Sequence, residues 1–141
     1  VYQGLLLFSA PTGGSVTSPT NTELWKSDGT PGGTSLVLDV NPAGDSQPVF
    51  LVSHSGWVYF SATTAAEGRE LWRTDATSGG TQLVSNLDAT SADSNPTFLG
   101  VLRGAVLLFA SDSMTALGAR LWASDGTSGG TTLLVDITST G

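Results

Sequence analysis

One eleven-residue pattern, Leu-Trp-x-x-Asp-(Gly/Ala)-Thr-x-Gly-Gly-Thr, occurs three times, at 24–34, 71–81 and 121–131. A chain of 141 residues that writes one unit three times is built by stacking copies of one supersecondary element, because each copy leaves an apolar face for a neighbour to cover. Trp25, Trp72 and Trp122 stand 47 and 50 residues apart, a period that suits four-stranded propeller blades. On that period residues 1–141 form a single repeat domain, with repeats at 1–44, 45–92 and 93–141.

Strand signals recur in one order within each repeat. The middle repeat reads as strands over 48–52, 56–62, 70–74 and 81–87, and the third over 96–100, 105–109, 120–122 and 131–137. The first lacks its leading strand and opens at 2–8, which makes eleven strands. No segment holds an apolar 3.6-residue period for three turns, and Gly, Ser and Thr interrupt every window, so helix is not expected. Runs such as Leu5-Leu6-Leu7-Phe8 place apolar side chains on both faces of a strand, so both faces must be covered. The reading is all-β: three propeller-type blades of four strands, the first one strand short, belonging to a larger propeller or assembly.

The motif residues have structural work to do before any chemistry. Asp28, Asp75 and Asp125 each open a turn in which the carboxylate accepts backbone N–H groups, and Thr30, Thr77 and Thr127 follow two residues later. Gly29 and Gly126 suit a positive φ, whereas Ala76 predicts a negative φ in the middle turn. Asn21, Gly68 and Gly118, three residues before each Leu, are residue types that tolerate the left-handed conformation. Leu24, Leu71 and Leu121 with their Trp partners read as packing anchors; burying one Trp removes roughly 150–250 Å² from water, about 4–6 kcal/mol as an upper bound.

The segments Glu-Leu-Trp-Lys-Ser-Asp-Gly-Thr (23–30), Glu-Leu-Trp-Arg-Thr-Asp-Ala-Thr (70–77) and Arg-Leu-Trp-Ala-Ser-Asp-Gly-Thr (120–127) resemble the ELWxxDGT repeat, and with the Gly-Thr and Val-x-Asp tails the resemblance spans essentially the whole chain. It implies propeller-like domains of large secreted or surface proteins and brings no catalytic residues. Ala76 for Gly, Asn86 for Asp and Arg120 for Glu depart from the pattern and argue against a functional requirement there. The turn is also similar in placement to the Asp-box of sialidase-type propellers, although there the aromatic residue follows the Asp.

Composition narrows the partners. Five Lys and Arg against twelve Asp and Glu give a net charge of −7, which repels a phosphate backbone, so nucleic acid is not expected. Apolar runs fall well short of the roughly 20 residues that span a bilayer, so membrane insertion is not expected. Charged residues are only 12% against 37 Ser and Thr, which predicts a surface rich in hydroxyls or covered by protein or sugar. Cysteine is absent, which removes disulfides, thiolate metal sites and a cysteine nucleophile. The start at Val1, without Met or a basic-then-apolar leader, suggests a piece of a longer protein.

Enzymatic chemistry finds little support. His54 is the only histidine and lies in an expected hairpin loop, and Asp28, Asp75 and Asp125 are repeat equivalents, whereas a catalytic acid pair needs unlike environments. Calcium would have to use Asp39 and Asp136, Asp45 or the acids within 88–93, with no recognised loop spacing; no cofactor is expected. The Gly-Gly pairs lack the Lys and helix of a phosphate loop. Residues 10–22 read as a long Ser/Thr/Pro-rich loop, with Thr12, Ser15, Thr17, Ser18, Thr20 and Thr22 as candidate O-glycosylation positions; no Asn-linked sequon exists.

The expectation is a structural module of an extracellular or cell-surface protein, such as a surface layer, appendage or fibre, with other copies or other domains of the same protein as partners. The rival is a glycan-binding module, which requires an exposed aromatic in every repeat. The structural reading requires the three Trp to be buried.

Overall fold

The structure, a computed structural model, describes residues 1–15, 18–89, 91–111 and 119–137. Eleven strands fall into three antiparallel sheets. Sheet 1 holds β1 (Leu6–Ser15), β2 (Ser18–Ser27) and β3 (Ser35–Leu38). Sheet 2 holds β4 (Val49–His54), β5 (Trp57–Thr64), β6 (Gly68–Thr74) and β7 (Gln82–Ser85). Sheet 3 holds β8 (Thr97–Leu102), β9 (Ala105–Ser111), β10 (Ala119–Ser124) and β11 (Thr131–Asp136). Each is a meander in sequence order, and no closed barrel or propeller ring forms among the described residues.

The three registers superimpose. Trp25 lies opposite Phe8 and Leu36, Trp72 opposite Phe60 and Leu83, and Trp122 opposite Leu108 and Leu133. The pairing slips by one residue between Leu and Trp in every sheet, which leaves Val37, Val84 and Leu134 as the extra residue of a bulge on the last strand. A bulge re-aims the side chain it carries. Val37 and Val84 are 5% and 3% exposed, packed into the junction with the next sheet.

The core is distributed between sheets. Leu24 and Val37 of sheet 1, with Val40 of the segment that follows it, cluster with Phe60 and Ala62 of sheet 2. Tyr59, Leu71 and Val84 of sheet 2, with Leu87 of the segment that follows it, repeat the arrangement with Phe98 and Trp122 of sheet 3. A smaller cluster joins Tyr2 to Val58 and Ala76. β5 is buried on both faces over five consecutive residues, as a strand sandwiched between neighbours must be.

In the segment 10–22, expected as a loop, residues 10–15 and 18–22 are instead a two-stranded ribbon that continues β1 and β2 to the pair Ser15 and Ser18. Pro11 and Pro19 are tolerated because the ribbon runs past the end of β3, so its strands have outer edges where no backbone donor is needed. The threonines that suggested a loop suit a pleated strand equally well. Thr12 donates its hydroxyl to the Asn21 carbonyl at 2.9 Å, and the Thr22 N–H is held by Asp45 at 2.6 Å. Ser15, Ser18 and Thr20 lie on the ribbon strands, and Thr17 lies outside the described residues.

Candidate functional site

The repeated turn is stitched by hydroxyls. Asp28 accepts the backbone N–H of Thr30 at 2.9 Å and its hydroxyl at 2.7 Å, and the same hydroxyl accepts the Gly33 N–H at 3.0 Å. Thr34 donates to the Thr30 carbonyl and pairs with Ser27 Oγ, which in turn accepts the Gly29 N–H. Asp75 with Thr77 and Asp125 with Thr127 reproduce this network bond for bond. The Thr hydroxyl holds each of the three carboxyls below the ordinary Asp value. The second glycine of each Gly-Gly pair is a packing requirement: a Cβ on Gly33, Gly80 or Gly130 would lie 1.9–2.0 Å from the Asp carboxylate.

Ala76 adopts φ +69°, not the negative φ expected, matching Gly29 at +93° and Gly126 at +92°. The strain of a non-glycine residue there is offset locally. The Ala76 side chain packs with Tyr2, Val58 and Leu7 in a buried cluster. Gly126 has no such freedom, because a Cβ would come within 2.2 Å of the Tyr59 hydroxyl of sheet 2. Asn21 and Gly68 have positive φ as expected, and Gly118 lies outside the described residues.

The residue that sequence reasoning missed is the Glu of each Glu-Leu-Trp. Glu23 is fully buried and accepts the N–H of Val40 at 2.7 Å, the N–H of Ser46 at 2.9 Å and the Ser46 hydroxyl at 2.5 Å. Glu70 is equally buried and holds the N–H groups of Leu87 and Ser94 and the Ser94 hydroxyl at 2.6–3.1 Å. Each carboxylate therefore clasps the segment that links its own sheet to the next. The clasp is reciprocal: Asp45 accepts the N–H of Thr22 and Asp93 that of Arg69, the residues preceding the two glutamates. A repeated signal was present in Asp45-Ser46-Gln47-Pro48 and Asp93-Ser94-Asn95-Pro96, just ahead of β4 and β8.

A second link is cationic. Lys26 of sheet 1 donates to the Ala76 carbonyl in the turn of sheet 2 at 2.7 Å. Arg73, at the same position in sheet 2, stacks 4.0 Å over the Trp57 ring, its guanidinium beside the turn of sheet 3 at Gly126. Sheet 3 departs at both positions: Arg120 replaces the clasping Glu and pairs with Asp136 at 3.2 Å, and Ala123 replaces the cation.

Leu24 and Leu71 are completely buried, whereas Leu121 is half-buried. Trp25, Trp72 and Trp122 are half-buried, with the indole nitrogen of each enclosed. The full burial expected of the Trp belongs to Leu and Glu instead; Trp72 and Trp122 pack across the junction to the preceding sheet. His54 ends β4 and bonds the Gly104 carbonyl at 3.0 Å and the Ser55 hydroxyl. Among the described residues no three His, Cys, Asp or Glu side chains gather as metal ligands.

The outer faces complete the picture. Leu134, the sheet 3 counterpart of buried Val37 and Val84, is 53% exposed. Leu6, the sheet 1 counterpart of Val58 at 4%, is also 53% exposed, and Phe8 is half-buried where Phe60 is fully buried. Comparison with protein-family models, with curated proteins and with solved structures returned no match for this chain.

Proposed function

We propose that this chain is a structural assembly module of an extracellular or cell-surface protein, its three sheets acting as propeller-type blades whose outer faces receive further protein. The carrying observation is that positions covered inside the stack, at Val37 and Val84 on one face and at Val58 on the other, remain apolar at the two ends, with Leu134 and Leu6 each 53% exposed. An uncovered apolar face at the end of a stack is a docking surface or a liability. The resemblance to ELWxxDGT repeats and the small share of charged residues, 12%, support the same reading.

Sedimentation velocity over a range of protein concentrations tests it. The expected outcome is a mass above that of one chain, lowered by Leu134→Asp. A wild-type chain that remains a monomer at high concentration would sink the proposal. Tryptophan emission that shifts with added glycans in such a monomer would favour a binding module instead.

A further inference from the structure

We infer that the outer face of sheet 3 docks on the outer face of sheet 1 of a second copy, so that copies stack head to tail with Leu134 seated against Phe8 and Ala10, as Val37 is against Phe60 and Ala62, and with Leu6 on the same rear face, where its counterpart Val58 meets Leu7. The inference rests on the assembly reading above and adds its partner and polarity.

The two internal junctions define the rule. In each, a forward face carrying a buried Leu on the penultimate strand and a bulged Val on the last meets a rear face. At the first junction that rear face presents Phe60, Ala62 and half-buried Trp72. Sheet 3 keeps the forward set as Leu121 and Leu134, and sheet 1 keeps the rear set as Phe8, Ala10 and Trp25. One chain therefore carries both halves of a junction it has already built twice. The halves are unlike, so their union is heterologous and like faces are not matched to each other.

Sheet 3 does not repeat the contacts by which sheets 1 and 2 hold the sheet that follows them, so its apolar face suits a separate copy. Glu23 and Glu70 act on the linker to the following sheet, through Ser46 and Ser94. Arg120 cannot accept those N–H groups, since a guanidinium has donors only. Ala123 cannot reach the following turn as Lys26 does. What sheet 3 has lost are the devices that secure a covalent successor. What it has kept is the apolar face, which an untethered partner needs as much as a tethered one.

Complementation separates the outcomes. Leu134→Asp damages only the forward face and Leu6→Asp only the rear, both at positions 53% exposed, so folding is preserved and circular dichroism verifies it. Each variant alone is expected to associate on the order of a hundredfold more weakly than the wild type, since an unpaired carboxylate would enter the junction. Mixed in equal amounts they are expected to form dimers and nothing larger, because one intact forward face and one intact rear face remain. A mixture that stays monomeric while the wild type associates, or a single variant that still associates fully, overturns head-to-tail stacking and leaves the assembly reading standing. A monomeric wild type overturns both.

Discussion

At the scale of single residues, the two glycines of each Gly-Gly pair have opposite roles. A Cβ on Gly80 would meet the Asp75 carboxylate at 2.0 Å, while one on Gly79 meets nothing within 4 Å. Gly80→Ala is expected to destabilise the chain by about 2 kcal/mol or more and Gly79→Ala by less than about 0.5 kcal/mol, read from urea unfolding. Glu70 gives a pH signature. Burial pushes its carboxyl up to about 7 against the lowering pull of the Ser94 hydroxyl and the Leu87 and Ser94 N–H groups. The folded state thus holds a proton that the unfolded chain has released above about 4.5, so stability falls as pH rises from about 4.5 to 7. The turn aspartates act oppositely: their lowered pKa contributes stability above 3.8 that is lost as pH falls below it. Stability is expected to peak near pH 5, and Glu70→Gln to flatten its upper limb. The turn could be read from the sequence because Asp, Thr and Gly act locally. The glutamate clasp could not, because its partners lie 17 to 24 residues away and Arg120 breaks the pattern in the third copy.

At the scale of elements, strand order was legible because β strands here are short, apolar on both faces and punctuated by repeated turns. The ribbon over 10–15 and 18–22 was not, since Ser, Thr and Pro serve an edge ribbon and a loop alike. Nor was the burial of Leu over Trp, which depends on the bulge between them and hence on pairing rather than composition. The difference in burial makes a direct comparison of equivalents. Leu71→Ala is expected to cost about 2–5 kcal/mol, as fully buried leucines do. Leu121→Ala, from a half-buried site in an isolated chain, is expected to cost less than half as much. Association would raise the cost of Leu121→Ala toward that of Leu71→Ala, so thermal denaturation at low and high protein concentration checks both statements.

At the scale of the whole molecule, the abundance of hydroxyls that suggested a sugar-bearing surface has a second explanation. Ser27, Thr30 and Thr34 and their counterparts in the other two turns, with Ser46 and Ser94, spend their hydroxyls on hydrogen bonds within the chain. Hydroxyl stitching is nearly indifferent to ionic strength, whereas two chains each carrying −7 repel one another until salt screens them. At a protein concentration low enough to keep the chain monomeric, the unfolding midpoint is therefore expected to stay level between about 0.05 and 0.5 M NaCl, whereas at high concentration the sedimenting mass is expected to rise over the same range. The turn chemistry thus predicts that two properties most proteins tie together come apart: a single chain whose fold is indifferent to salt, and a proposed assembly that salt promotes.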